Sequence, residues 1–418
     1  MAELRTLHLT DIHDDLEKYE VIAGYIAGKK NTDQAVNVVF ITGDFIEGHP
    51  QAKGKTASEM ERILNQYYDP SPVNQKQQEI QALLEEQKVK SKEDLKALDI
   101  SVRKQLALLS QQGGEEHLKA CQKVTKEQIE EILKPAIDSY KKHAEGISKI
   151  GIPVFAILGN HDLTQGYEIL KDKVTFTERE NKATITGRSG LEFIVKGDLN
   201  TFEEPGFYSY FIPLFKEHFI PYQSGYSFTQ LSQEVQQFQA EIDSGRQDRL
   251  DKAKEGKEPK YTEEQLKELE AKLDYSTKLR KEVLQYNQAE RQRLGNKNEA
   301  DIYLTHKLPN CKKARSDIQG SLSDITSEYA ANTNAVYGGH FHDGQIGYKT
   351  IENLLKQDAT EKTTLDGVEV PIFYLDKDEP WELNPGTDYF FVVEYDANKK
   401  VEQVLVYRFV YQDVAQAA

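Results

Sequence analysis

Five short apolar runs, far apart in the chain, each lead straight into side chains of the kind that bind metal ions. Leu7-His8-Leu9-Thr10 precedes Asp11-Ile12-His13, residues 36–42 precede Gly43-Asp44, and residues 152–158 precede Gly159-Asn160-His161-Asp162. Ile302-Tyr303-Leu304-Thr305 precedes His306, and Ala335-Val336-Tyr337-Gly338 precedes Gly339-His340-Phe341-His342. Apolar, β-branched runs of this length read as buried strands. Strands of one sheet carry the loops that follow them to a common edge, where side chains distant in sequence can converge. The pattern predicts an α/β fold that brings these ligands to one point.

Between the strands the period changes. Residues 16–27 read as a helix that Asp14 or Asp15 can cap. After Asp44 the chain stays away from the sheet until Pro153-Val154-Phe155. Within that gap Ile80, Leu83 and Leu84, then Ile129, Ile132, Leu133 and Ile137, recur at helical spacing. Residues 51–150 therefore read as a helical insertion, broken at Asp69-Pro70-Ser71-Pro72 and Gln112-Gly113-Gly114, which is either a lid beside the preceding loop or a solvated decoration. Residues 230–300 read as a second insertion, with Leu266, Leu269, Leu273, Leu279 and Val283 on one face and a hairpin break at Gly256-Lys257-Glu258-Pro259. Residues 174–197 alternate around Gly187-Arg188-Ser189-Gly190 as a β-hairpin, and strands are expected at 346–348, 372–375, 389–395 and 401–411. Without the insertions about 250 residues remain, a size compatible with one domain.

Charge narrows the partners. Lysine and arginine number 53 against 69 aspartates and glutamates, a net −16. The two insertions are each nearly neutral, so the body that carries the ligands is acidic. Such a body repels a polyanion unless metal ions or local basic groups compensate, which disfavours nucleic acid as a partner. Cys121 and Cys311 form no C-x-x-C motif, so neither a disulfide framework nor a thiolate zinc site is indicated. The N-terminal residues lack an apolar signal segment and no run approaches about 18 apolar residues, so a cytoplasmic protein with no membrane segment is expected.

Three weaker patterns carry no site. The aromatic residues crowded into 202–228 read as packing before base stacking. Five residues separate Gly48 from Gly54-Lys55-Thr56 where a phosphate loop needs four, and Gly225-Tyr226-Ser227 lacks the closing glycine of a serine nucleophile elbow. His8, inside the first strand, reads as a core histidine.

The order D-x-H, G-D, G-N-H-D, a lone H and G-H-x-H resembles the calcineurin-like metallophosphoesterase superfamily. The resemblance implies two packed mixed β-sheets flanked by helices, a four-layer sandwich, here carrying two large helical insertions. It implies that Asp11, His13 and His342 hold one metal ion, that Asn160, His306 and His340 hold a second, and that Asp44 bridges both. It also implies that His161 is the general acid; either Glu47 or Asp162 is expected to orient it and raise its pKa through the opposite charge. Mixed His, Asp and Asn ligands suit two divalent ions drawn from Mn, Fe, Zn or Co, with Mn the first expectation, and argue against a purely oxygen-ligated site.

The sequence departs from the phosphoprotein-phosphatase branch of that superfamily. Gly48 and His49 stand where that branch has an arginine that binds substrate phosphate, and GNHD replaces GNHE. Lys312, Lys313 and Arg315 can supply a substitute cation or form a basic surface turn. The expected activity is hydrolysis of a small phosphodiester or nucleotide. The alternatives are a DNA nuclease on the same fold, a phosphoprotein phosphatase, or a non-catalytic binding scaffold. The insertions are candidate surfaces for a protein partner or for self-association.

Overall fold

A computed structural model describes residues 2–47, 55–67, 69–89, 123–180, 182–198, 228–308, 324–330, 332–340, 342–347, 349–356, 361–365, 368–374 and 381–409, with scattered positions between 102 and 119. In chain order its strands begin with β1 (Leu4–Leu9), β2 (Val38–Thr42), β3 (Val154–Ile157), β4 (Thr175–Phe176), β5 (Ala183–Thr186), β6 (Glu192–Asp198) and β7 (Ile302–Lys307). They continue with β8 (Ala335–Gly339), β9 (Asp343–Ile346), β10 (Lys349–Thr350), β11 (Glu361–Leu365), β12 (Val368–Tyr374), β13 (Trp381–Gly386), β14 (Tyr389–Tyr395) and β15 (Val401–Arg408).

These strands form two mixed sheets, one ordered β11-β12-β15-β14-β1-β2-β3-β4 and the other β10-β9-β13-β8-β7-β6-β5. Strands β1, β2, β3 and β4 run parallel, as do β6, β7, β8 and β13. The remaining pairings are antiparallel. Parallel neighbours end on the same side, so the loops after β1, β2 and β3 lie next to one another, as do the C-terminal ends of β7 and β8.

Strand β1 shows why the runs are continuous. All six of its residues are buried. Leu7 and Leu9 join a core with Tyr19, Ile22 and Ile26 of the helix Glu17–Lys29 and with Ile132, Leu133, Ala136, Tyr140, Ile147 and Ile150 of the helix Lys126–Ile150. Leu4, on the opposite face, joins a core that also holds Phe193, Val195, Ile302, Leu304, Tyr337 and Leu383 of the second sheet. Alternate residues thus face helices and the other sheet, and each full burial of a large apolar side chain contributes about 1.5–3 kcal/mol. His8 lies on the inter-sheet side, fully buried, with Nε2 2.9 Å from Thr42 Oγ1 and its ring edge-on to Tyr337.

The two insertion spans differ in how they attach. The helix Lys126–Ile150 closes the first span. It starts on a capping box in which Thr125 accepts from the Gln128 N–H, and stops at Gly151 with φ 74°. Its apolar stripe belongs to the main core, so it serves as the crossover between β2 and β3. The second span forms two antiparallel helices, Phe228–Glu255 and Glu263–Leu294, turning at Gly256 with φ 65°. The first helix of the chain begins at Glu17 with Leu16 at its cap position and no side-chain cap, so neither Asp14 nor Asp15 caps it as expected; Asp14 instead accepts from Ser139 and from the Glu47 N–H. A strand that the sequence reading lacked, β13, runs parallel to β8. No helix among the described residues is long and apolar enough to cross a membrane.

Candidate metal centre

The loops after β1, β2, β3 and β8 meet at the C-terminal end of β7. His306 anchors the meeting point: its Nδ1 donates to the Thr42 carbonyl at 2.9 Å, which turns Nε2 toward Asp44 Oδ2 at 3.3 Å and Asn160 Oδ1 at 2.6 Å. The same Asn160 oxygen lies 3.0 Å from His340 Nδ1. On the other side His13 Nε2 lies 3.0 Å from His342 Nε2, 3.8 Å from Asp11 Oδ1 and 4.0 Å from Asp44 Oδ2. Asp11 Oδ1 is also 4.0 Å from His342 Nε2. Asp44 sits between the two groups of atoms. It also accepts from the His161 backbone N–H at 2.9 Å.

Backbone geometry sharpens this picture. Among the described residues seven non-glycine positions have positive φ, and five of them are Asp11, His13, Asp14, Asp44 and His340. A left-handed non-glycine residue costs about 1–2 kcal/mol, so strain is concentrated where the donor atoms converge. The glycines beside the ligands meet a different demand. A Cβ on Gly159 would sit 2.1 Å from Asp44 Oδ1, and one on Gly43 would sit 2.3 Å from His306 Nδ1. Only glycine lets those loops approach so closely.

Glu47 lies across two imidazoles, with Oε1 2.8 Å from His161 Nδ1 and Oε2 3.2 Å from His13 Nδ1. Asp162 is placed differently. Its carboxylate accepts from the backbone N–H groups of Gly159 (2.8 Å), Phe45 (3.0 Å) and Ile46 (3.3 Å) and from the Tyr140 hydroxyl (3.0 Å). Of the two acids expected to orient His161, Glu47 therefore touches its ring, while Asp162 ties the β2 loop to the β3 loop because backbone donors occupy its oxygens.

Burial works against the charge on His306, but the adjacent Asp44 carboxylate overrides it and lifts the imidazole to about 9. Asp44 is held well below the carboxylate range: its own burial opposes this, and His306 and His161 outweigh it. His161 is raised because Asp44 and the hydrogen bond to Glu47 exceed the penalty of burial. Glu47 is lowered, since the His161 bond exceeds its burial. Burial lowers His13, and burial together with the nearby Asp44 raises Asp162 to about 7.

The donor set fits divalent ions. Atoms that surround one ion at about 2.1 Å lie roughly 3–4 Å from one another, which is the spacing found around His13 Nε2 and between His306 Nε2 and Asp44 Oδ2, while Asn160 Oδ1 stands at hydrogen-bond distance from His306. With Nδ1 committed as donor to Thr42, a neutral His306 turns a lone pair toward the Asn160 and Asp44 oxygens, three acceptors that only a proton or a cation reconciles. Asp11, His13 and His342 form one cluster able to hold a metal ion, and Asp11, Asp44 and His306 form another. Asn160 and His340 bring an oxygen and a nitrogen to the second.

The sequence reading missed several supports. Lys18, buried, donates to the Asp11 carbonyl at 3.0 Å and pins that strained turn. Ser139 donates to Asp14 Oδ1, and Asp14 Oδ2 accepts the Glu47 N–H at 3.2 Å. Tyr140 accepts from the Leu163 N–H at 2.7 Å while donating to Asp162. Asn384 of β13 reaches the Gly339 carbonyl at 3.3 Å. A signal for the first group exists: Ser139 and His143 are polar residues inside the apolar stripe of the helix Lys126–Ile150. Gly48, His49, Cys121, Cys311, Lys312, Lys313, Arg315 and the aromatic residues 202–227 lie outside the described residues.

No family model matches the sequence, and no curated protein matches it. Among solved structures a crystal structure matches over 98% of this chain and 100% of its own, at 11% identity and a TM-score of 0.38. A likeness at that level carries no argument about function.

Proposed function

We propose that this chain is a calcineurin-like metallophosphoesterase, a four-layer sandwich that hydrolyses a small phosphodiester or nucleotide at a pair of divalent metal ions. The observation that carries the reading is the convergence of donor atoms from the loops after β1, β2, β3 and β8 and from His306 at the end of β7, with the Glu47–His161 pair at its edge. Asp11, His13 and His342 would hold one ion, Asn160, His306 and His340 the other, and Asp44, between the two groups, would serve both. Such a pair supplies the acidification of water and the neutralisation of phosphoryl charge that ester hydrolysis at neutral pH requires.

The chain supplies the leaving-group proton. Glu47 takes the Nδ1 hydrogen of His161, which makes Nε2 the atom that delivers a proton to the departing oxygen. Asp44 and the Glu47 hydrogen bond both raise the pKa of His161 against its burial. Asp44 accepts from the His161 backbone N–H, which ties the acid's loop to the ligand loop after β2. The layered fold is supported by the core that residues of both sheets share.

The test pairs metal analysis of the full chain with a hydrolysis panel in added Mn: bis-nitrophenyl phosphate, a phosphomonoester, a phosphopeptide, cyclic nucleotides and single-stranded DNA. About two metal equivalents and preferred turnover of the diester or of a nucleotide are expected. A chain that takes up no metal from excess Mn and turns over none of the panel overturns the reading.

A further inference from the structure

Arg293, in the last turn of the helix Glu263–Leu294, reaches from the root of the hairpin to both sheets at once. Its side chain is only 15% exposed, and each of its five N–H donors has an acceptor. Nε donates to Glu290 at 3.1 Å and Nη2 to the same carboxylate at 2.6 Å. Nη1 donates to the Thr177 carbonyl at 3.2 Å and the Glu180 carbonyl at 2.6 Å, and Nη2 also donates to the Gly197 carbonyl at 2.7 Å. Thr177 lies just past β4 of the first sheet, and Gly197 lies near the end of β6 of the second. The two come so close that a Cβ on Gly197 would sit 2.5 Å from Thr177 Oγ1.

The residue after each clamped carbonyl leads to the centre. Glu178 follows Thr177, and its Oε1 accepts from the Leu158 N–H at 3.1 Å, two residues before Asn160. Asp198 follows Gly197. Its Oδ1 accepts from the Thr305 hydroxyl at 3.2 Å, one residue before His306, and its Oδ2 from the Thr326 hydroxyl at 2.6 Å. Both acids are buried. Burial pushes Glu178 to about 7 and Asp198 to about 6, and the charge on Arg293 opposes both shifts. One guanidinium thus fixes the two acids that hold the ends of β3 and β7, from which Asn160 and His306 project. Those two donors belong to the same group of the centre, with Asn160 Oδ1 2.6 Å from His306 Nε2. Asp11, His13 and His342 follow β1 and β8, strands that Arg293 does not bond.

We propose that Arg293 is a positioning residue for the second metal ion: by clamping the ends of β4 and β6 it sets how Asn160 and His306 face each other, and so sets the affinity for that ion. Partners one step removed from a metal ligand typically change metal affinity by about 10–100-fold. The proposal rests on the paired-metal part of the phosphoesterase reading and not on hydrolysis itself.

The full chain, stripped with chelator, is titrated with cobalt(II) and followed by its visible absorption. Two equivalents are expected in the parent, and His340→Ala and His342→Ala show which spectral change belongs to which ion. Arg293→Met should weaken the equivalent that His340→Ala abolishes by about tenfold or more and leave the other unchanged. Tyr329→Phe is the control, because it removes a bond to the Gly295 carbonyl at the same root; it should leave both equivalents as in the parent. A loss shared equally by both ions in Arg293→Met, or the same loss in Tyr329→Phe, reports damage to the root and overturns the proposal. Parent affinity for both ions in Arg293→Met overturns it too.

If Arg293→Met does not fold, Arg293→Lys carries the test. An ammonium with three donors for four acceptors should weaken the same equivalent severalfold, and an unchanged second equivalent overturns the proposal. No cobalt uptake by the parent overturns the paired-metal reading and the proposal with it. Two equivalents, one of them dependent on Arg293, in a chain that hydrolyses nothing support the clamp and overturn the hydrolytic reading alone.

Discussion

The helix Lys126–Ile150 and the hairpin of Phe228–Glu255 with Glu263–Leu294 look alike as sequence, both long, charged and interrupted. They stand in opposite relation to the centre. The first sends Ser139, Tyr140 and His143 inward, where Ser139 reaches Asp14, Tyr140 reaches Asp162, and His143 Nδ1 lies 2.9 Å from the Tyr19 hydroxyl. The hairpin packs largely on itself, through Leu231, Leu279 and Val283, and leaves Leu250 and Tyr275 exposed. It is anchored at its root, where Arg293 donates to the Thr177 and Gly197 carbonyls and Lys196 to those of Leu294 and Asn296. A polar group inside an apolar stripe has a partner to find; charged pairs along an exposed face have only each other and water.

The sharpest way to test the contrast starts at the centre the first helix braces. Asp44→Ala removes the carboxylate between the two groups of donor atoms and leaves His306 without its counter-charge. Metal content should fall toward zero and turnover by about 10³ or more, if several kcal/mol of charge stabilisation is lost. Retained metal with retained turnover would break the assignment of Asp44. His161→Ala should keep its metal and slow esters with poor leaving groups by about 10²–10⁴, with a smaller loss on good ones. Equal loss across a leaving-group series would remove the acid role.

Tyr140→Phe tests the helix itself. It strips a donor from buried Asp162 and an acceptor from the Leu163 N–H, which should lower stability by about 1–3 kcal/mol and turnover by roughly tenfold to a hundredfold. Denaturant titration alongside kcat separates those effects, and wild-type values in both would make the helix as idle as the hairpin. The smallest effect belongs to the hairpin: Arg246→Ala breaks the exposed pair with Glu270 and should move Tm by less than about 2 °C. A loss of turnover there would erase the distinction between the two regions.

Much of the frame was readable because it is periodic. Apolar runs with ligands at their ends located β1, β2, β3, β7 and β8, and Gly256 with Pro259 marked the hairpin turn. Strand β13 escaped because Trp381-Glu382-Leu383-Asn384-Pro385-Gly386 has neither clean alternation nor a continuous apolar run; its pairing with β8 and β9 makes it a strand. The Asp14 cap failed for a related reason. A cap competes for a carboxylate that Ser139 and the Glu47 N–H reach from other elements, and nothing local announces them.

By itself the sequence determined which side chains can act as ligands, that each lies at or just past the end of a buried strand, and that the chain is α/β. Those properties depend on neighbours a few residues apart. Only the tertiary structure decided that Glu47 meets His161 while Asp162 binds backbone, that Tyr140 and Ser139 brace both loops, and that Arg293 bonds the ends of β4 and β6. Each of these contacts joins residues from separate elements, and a hydrogen bond has meaning only once the chain has brought its partners within reach.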